Sequence, residues 1–232
     1  MNYRQRLADL FTVVATDFNQ SRPIKRLLGG DLRLEHYASI LTEIFHYTRE
    51  DPQIQAEAAV HFHGSQRAMV GPFLKHAISE VGHDQLALLD LKALGVDVTA
   101  TPSRHPLPST ASLVGFAYFA IRHLDPLAYL GYLYFLEFAP TQHGEAYAQA
   151  LEKLGVPPSA MAFLKEHQEV DVGHNRLMDL YVDSLIKTES HYAHVAYALQ
   201  VTGKLYALML EGAIDQVDNP RDYGTAPMEL SN

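Results

Sequence analysis

The sequence predicts an all-α protein, and three observations carry that reading. Apolar residues recur at spacings of three and four, as in Leu34, Tyr37, Ala38, Leu41 and Phe45, which is the period of an amphipathic helix. No run of β-branched residues alternates with polar ones, and no Asn-Gly or Asp-Gly pair separates two such runs, so the marks of strands and hairpins are missing. The connections between the periodic stretches are short, and 47% apolar content over 232 residues suffices to close a sizeable core.

Taken in order, residues 1–30 read as an N-terminal helix and lead-in. Asp31, after Gly29-Gly30, suits an N-cap for a helix running to Thr48. Pro52 opens a second helix to about His63, where Gly64 ends it. A longer helix spans Pro72 to Leu94 and is stopped by Gly95; Thr99 to Ser109, with three prolines, is a loop. Helices follow at about Ser112–His123, Pro126–Leu154, Pro158–Ile186 and Ser190–Val217, and residues 220–232 form a loose tail. The expectation is one domain over residues 1–232, a bundle of about seven helices.

Composition removes several functions. The formal charge is −9 with no basic run, so the electrostatic footprint of a nucleic-acid binder is missing. The absence of cysteine excludes disulfides, thiolate metal sites and cysteine nucleophiles. The first ten residues carry Arg4, Arg6 and Asp9 and no apolar core, and Arg122, His123, Asp125 and Pro126 interrupt the apolar stretch Leu113–Phe138. No secretory signal or membrane span is expected, and the location read from this is cytoplasmic. The 13 histidines stand out, because any metal must be held by His and carboxylate.

An internal repeat organises those histidines. At an offset of 91 residues, His76-x3-Glu80-Val81-Gly82-His83-Asp84-x-Leu86 falls on His167-x3-Asp171-Val172-Gly173-His174-Asn175-x-Leu177, and His46 falls on Glu137. On one helix, positions i, i+4 and i+7 project from a single stripe. Two imidazoles and a carboxylate on such a stripe make half a site for a divalent transition metal, and two stripes face to face make a dinuclear one. Glu137, in Tyr132-Leu-Tyr-Phe-Leu-Glu-Phe, would be costly to bury without a counter-charge. The carboxylates Glu80, Glu137 and Asp171 suit two iron(II) ions, with manganese as the alternative metal.

The other histidines, among them His36, His61, His63, His105, His123, His143, His191 and His194, read as surface or packing residues. The tyrosines Tyr118, Tyr129, Tyr132 and Tyr134 read as core. Gly82 and Gly173 read as small residues where helices cross closely.

At these residues the sequence resembles the heme-oxygenase-like di-iron oxidases and oxygenases, in the superfamily that also holds thiaminase-like and pyrroloquinoline-quinone-synthase-like proteins. The resemblance runs from about Asp31 to Ala213 and is most specific at His167, Asp171 and His174, preceded by Glu137 and, earlier, His83. Glu80 occupies a position that some members use as a carboxylate ligand. His46 and His76 stand where several members carry Glu.

The resemblance implies a heme-oxygenase-like bundle with two pseudo-twofold-related halves and an O₂-dependent, non-heme di-iron oxidoreductase. Desaturation, carbon–carbon cleavage, decarboxylation and N-oxygenation are the reactions it would admit. One metal position would take Glu137, His167 and Asp171 and the other His83, His174 and Glu80, with His46 and His76 completing the first-half site. Glu137 and Asp171 would be the catalytic, bridging carboxylates.

The expected partners are a small carboxylate- or amine-bearing substrate, an external electron donor and a second copy in a homodimer. Arg122, Arg67 and Lys75 are the cations available to a substrate carboxylate, and Leu113–Phe138 would line an apolar pocket. The competing readings are a ferritin-like di-metal protein, prompted by Glu80-x2-His83 and Asp171-x2-His174, and a non-catalytic binding bundle.

Overall fold

The computed structural model describes residues 2–169 and 171–223, with the side chains of residues 140–142 and 167–175 excluded. The Asn2 side chain accepts the Gln5 N–H at 3.1 Å and opens α1 (Tyr3–Asn19); Pro23 in the first turn starts α2 (Arg22–Gly29), and Gly30, at φ +77°, ends it. Then come α3 (Leu34–Thr48), α4 (Asp51–Val60), a 3₁₀ turn at Gly64–Met69, α5 (Val70–Ser79) and α6 (His83–Ala93). Past the proline-rich segment lie α7 (Pro108–Phe119), a π turn at Ala120–Leu124 and α8 (Tyr129–Leu154). The order closes with α9 (Ala162–Glu169), α10 (Asp171–Leu185) and α11 (Glu189–Asp218). No β-strand occurs among the described residues.

The expected helices exist, but eleven rather than seven are found among the described residues, because residues 1–30 hold two helices and two long helices are each divided. The Pro72–Leu94 helix is interrupted at residues 80–82: α5 ends at Ser79, Gly82 adopts φ +102°, and α6 begins at His83. A Cβ on Gly82 would meet nothing within 4 Å. Its role is therefore the left-handed backbone, not the close helix crossing expected of it. The Pro158–Ile186 stretch is likewise two helices, α9 and α10.

The bundle is built around α11, which packs against α8, α3, α7 and α1. Gly131 of α8 sets the closest approach: a Cβ there would run into the Val195 carbonyl oxygen and lie 2.7 Å from the Leu199 nitrogen. Only hydrogen fits, so α8 rides directly on the backbone of α11. Phe11, Phe135, Leu41, Leu199, Met209 and Tyr181 are among the residues that fill the core.

Polar links set the remaining helices. Buried Asp90 of α6 accepts the Ala162 N–H at 2.7 Å and the Phe163 N–H at 2.9 Å, capping α9 from a distant part of the chain. The Tyr181 hydroxyl donates to the Pro72 carbonyl at 3.2 Å, tying α10 to α5. Arg4 pairs with Asp179 and Asp183, tying α1 to α10. No described helix is long and apolar enough to cross a membrane.

Three glycine substitutions separate these roles. Gly82→Ala should cost about 1–2 kcal/mol through its left-handed backbone, and Gly131→Ala about 1–3 kcal/mol through overpacking against α11. Gly115→Ala, in helical backbone with open space at its Cβ, should be neutral or stabilising by up to about 1 kcal/mol. Chemical denaturation of the three variants checks the ranking.

Candidate metal centre

His76 lies in the last turn of α5, Glu80 caps that helix, and Glu137 projects from α8. The His76 Nε2 stands 3.3 Å from Glu80 Oε1 and 3.2 Å from Glu137 Oε1, and one donor atom from each of the three lies within 4.8 Å of the others. His76 is fully buried, and the two carboxylates are only 13% and 11% exposed. Despite the helix break, His83 still reaches the group: its Nδ1 is 2.7 Å from Glu80 Oε2. The turn at residues 80–82 brings His83 to Glu80 by folding back on itself, where a continuous stripe had been expected.

Burial alone would discharge His76, yet its hydrogen bonds to Glu137 and Glu80 outweigh that penalty and push its pKa up to about 9. The same imidazoles overcome burial at Glu80 and hold its carboxyl well below the usual range. Glu80 also raises His83. The cluster is thus a buried, charge-balanced set of nitrogen and oxygen donors, in which a proton on His76 stands where a cation would stand. Imidazole with carboxylate suits iron or manganese, and the separations allow the three donors to close on one ion.

Glu80, His76 and His83 lie together, as one half of the repeat groups them, and Glu137, which the repeat grouped with His167, Asp171 and His174, joins them. His46 does not join them. It is buried at the end of α3, and the charged groups that act on it are Arg49, Arg104 and His105, with none of the cluster's carboxylates among them. The reason is local: the segment at residues 101–107 folds over the last turn of α3, with Arg49 donating to the Pro102 carbonyl at 3.2 Å and Leu107 N–H to Glu43 at 3.0 Å. The side chains of His167, Asp171 and His174 lie outside the described residues; their helices, α9 and α10, both pack against α8.

Three residues beside the cluster, and a fourth one helical turn from them, were not picked out as site residues from the sequence. Asp51, at the start of α4, accepts a hydrogen bond from the Tyr132 hydroxyl at 3.2 Å; burial, then the charge of Glu80, pushes its pKa well above the usual range. Tyr129, stacked on Tyr132 at 5.6 Å, has a buried hydroxyl with no hydrogen-bond partner among the described residues, and Asp51, Glu80 and Glu137 act on it electrostatically. Gln55, one turn along α4 from Asp51, is fully buried with both amide atoms unpartnered among the described residues. The only sequence signal for Asp51 was the Pro52 helix start, and for the tyrosines their density.

Of the substrate-facing cations expected, Arg122 is engaged by Glu57 at 2.6 and 2.8 Å, and Arg67 and Lys75 are exposed. Leu113–Phe138 contributes Phe135 and Leu136 to an apolar cavity of about 120 Å³, walled otherwise by residues such as Ile24, Tyr37, Leu41 and Tyr206. Phe135 and Ala139 each stand two residues from Glu137, so this cavity lies across α8 from the carboxylate.

These features have counterparts in known proteins. A sequence family described as iron-containing redox enzyme matches residues 38–205, and the chain belongs to that family. Its fold is heme-oxygenase-like. A domain of unknown function with that fold from Shewanella denitrificans OS217 superposes with a TM-score of 0.81, at 24% identity over 94% of each chain. A TenA homolog from Pseudomonas syringae pv. tomato DC3000 gives 0.75 at 12% identity over 92% of this chain and 93% of that one. The TenA homologue from P. horikoshii OT3 gives 0.71 at 14% over 92% and 99%. No curated protein sequence matches the chain.

Metal must displace the proton of His76, so affinity should climb by at least about tenfold per pH unit as pH rises towards about 9 and flatten above it. Anaerobic manganese(II) titrations between pH 6 and 8.5, followed by electron paramagnetic resonance, measure the slope; a pH-independent affinity removes His76 from the site. In metal analysis of purified variants, His76→Ala should lose most bound iron, whereas His46→Ala should keep the wild-type stoichiometry.

Proposed function

We propose that the protein is an O₂-dependent, non-heme di-iron oxidoreductase acting on a small organic substrate. The observation that carries this reading is the buried group of His76, Glu80 and Glu137, two acids and an imidazole from two distant places in the chain, inside a family of iron-containing redox enzymes. A repeat that sets His167, Asp171 and His174 at the same spacing as His76, Glu80 and His83 supports a second ion. Bound iron would supply redox chemistry with O₂.

The chain's own residues have separable tasks in this reading. His76, Glu80, Glu137 and His83 would hold the metal with His167, Asp171 and His174, Glu137 and Asp171 being the carboxylates able to bridge. Tyr132 fixes the Asp51 carboxyl through its 3.2 Å hydrogen bond. The Tyr129 hydroxyl and the Gln55 amide, buried without partners among the described residues, would meet the polar end of the substrate. Tyr181, stacked on His76 at 6.1 Å, and Phe73, packed on Tyr181 at 4.3 Å, keep water from the imidazole. An external reductant would return the electrons that the substrate does not supply.

The test is to load the apoprotein anaerobically with iron(II), mix it with O₂ and follow visible absorption by stopped flow, with and without amino acids, amines and fatty acids. About two irons per chain and a transient band are expected, with O₂ uptake accelerated by one substrate class; Asp171→Ala and His174→Ala should each lose most iron. Trace iron occupancy, or O₂ consumption that never exceeds the buffer rate, overturns the oxidoreductase and favours a binding bundle.

A further inference from the structure

The place where His46 ends up has a chemistry of its own. Glu43, His46 and Arg49 follow one another at intervals of three along the last turns of α3, and residues 101–107 lie over them. That cover is pinned at both ends: Arg49 Nη1 reaches the Pro102 carbonyl at 3.2 Å, while the Leu107 N–H, at 3.0 Å, and the Thr110 hydroxyl both bond Glu43. On the two segments so joined, three buried polar atoms have no hydrogen-bond partner among the described residues: His46 Nε2, Thr101 Oγ1 and Arg104 Nε. Thr101 is fully buried and His46 only 4% exposed. A backbone hydrogen bond of 3.2 Å from Arg104 to Thr101 closes the turn that carries two of them, and Arg104 acts electrostatically on the third.

All three atoms can donate, and the charged groups that act on His46 are all basic. Burial, then Arg49, Arg104 and His105, push the His46 imidazole down to about 4, so it is neutral and keeps a ring N–H to donate. The acids nearby are already occupied: Glu43 by Leu107 and Thr110, Glu50 by Arg49 at 3.3 Å, and exposed Asp97, which feels Arg104, by the Thr99 N–H at 2.9 Å. Buried donors without an acceptor are rare in native proteins and call for a partner. The Nε edge of a guanidinium is shaped to take a carboxylate in two parallel hydrogen bonds, which leaves His46 and Thr101 for the second face of the same group.

We propose that the last turn of α3 and residues 101–105 form a binding site for a carboxylate, held by Arg104, His46 and Thr101. The site is separate from the metal centre and stands or falls without it. Arg104, His105 and Pro106, all accessible in part, form its mouth.

The experiment uses full-length, metal-free protein with labelled histidines, titrated with acetate at constant ionic strength and read by NMR, the His46 ring being assigned with His46→Gln. A saturable shift of the His46 ring is expected, weakened about tenfold or more in Arg104→Gln and less in Arg104→Lys, which keeps the charge but loses the fork. Inorganic phosphate is the comparison anion, and near-ultraviolet circular dichroism checks folding. No saturable His46 shift in the wild-type protein overturns the proposal whatever the variants do, as does tighter binding of phosphate than of acetate. A shift that Arg104→Gln leaves unchanged in folded protein refutes the assigned ligands.

Discussion

Everything around the candidate centre answers to one electrostatic demand: two carboxylates, Glu80 and Glu137, are placed where water hardly reaches, and something positive must stand between them. In the chain itself that is the His76 imidazole, within 3.3 Å of both. Removing one member of such a buried set leaves the others uncompensated, a loss of several kcal/mol in typical proteins, so α5 and α8 cannot shift apart cheaply. The glycine crossing at Gly131 fixes α8 against α11, and the Tyr181 bond to Pro72 holds the start of α5. The supports are backbone contacts and neutral hydrogen bonds, so the charges in the middle are not all that holds the helices in register.

The tyrosines of α8 extend the same logic outward. Tyr129 and Tyr132 stack on each other beside the cluster, Tyr132 bonds Asp51, and Tyr47 meets Tyr206 at 3.5 Å between hydroxyl oxygens. Each ring supplies apolar area to the core while its hydroxyl finds, or waits for, a polar neighbour. Asp51 is tolerated there in its neutral form, because burial, then the charge of Glu80, disfavours its ionised form.

How much of this could be read beforehand varies residue by residue. The helical class and the grouping of His76 with Glu80 and His83 were legible, because helix periodicity is local and the repeat matched residue types at a fixed offset; that Glu137 meets His76 was not, since the repeat placed Glu137 in the other half. The break at Gly82 was not: a lone glycine in an apolar-periodic stretch is tolerated in many helices, and only the φ of +102° distinguishes a stop from a small residue. His46 failed for a different reason. The repeat equates it with Glu137, but residues 101–107, which have no repeat partner role, cover it and redirect its surroundings. Asp51 was invisible because its partner Tyr132 arrives from 81 residues away, and a charged residue before a proline looks like an ordinary helix start. Asp90 is similar, since a cap supplied across the fold leaves no trace next to the helix it caps.

The interruption between α5 and α6 also decides where a helix macrodipole ends. A continuous helix through this stretch would carry its partial charges to remote termini. Because α6 starts at His83, its amino-terminal end, equivalent to about half a positive elementary charge, falls three residues from Glu80. The carboxyl-terminal end of α5, of opposite sign, falls on Glu80 and on His76 in its last turn, where it favours the protonated imidazole, so the joint sets fixed partial charges of both signs beside the site without adding a titratable group. The joint therefore contributes lasting polarity to the site as well as shape.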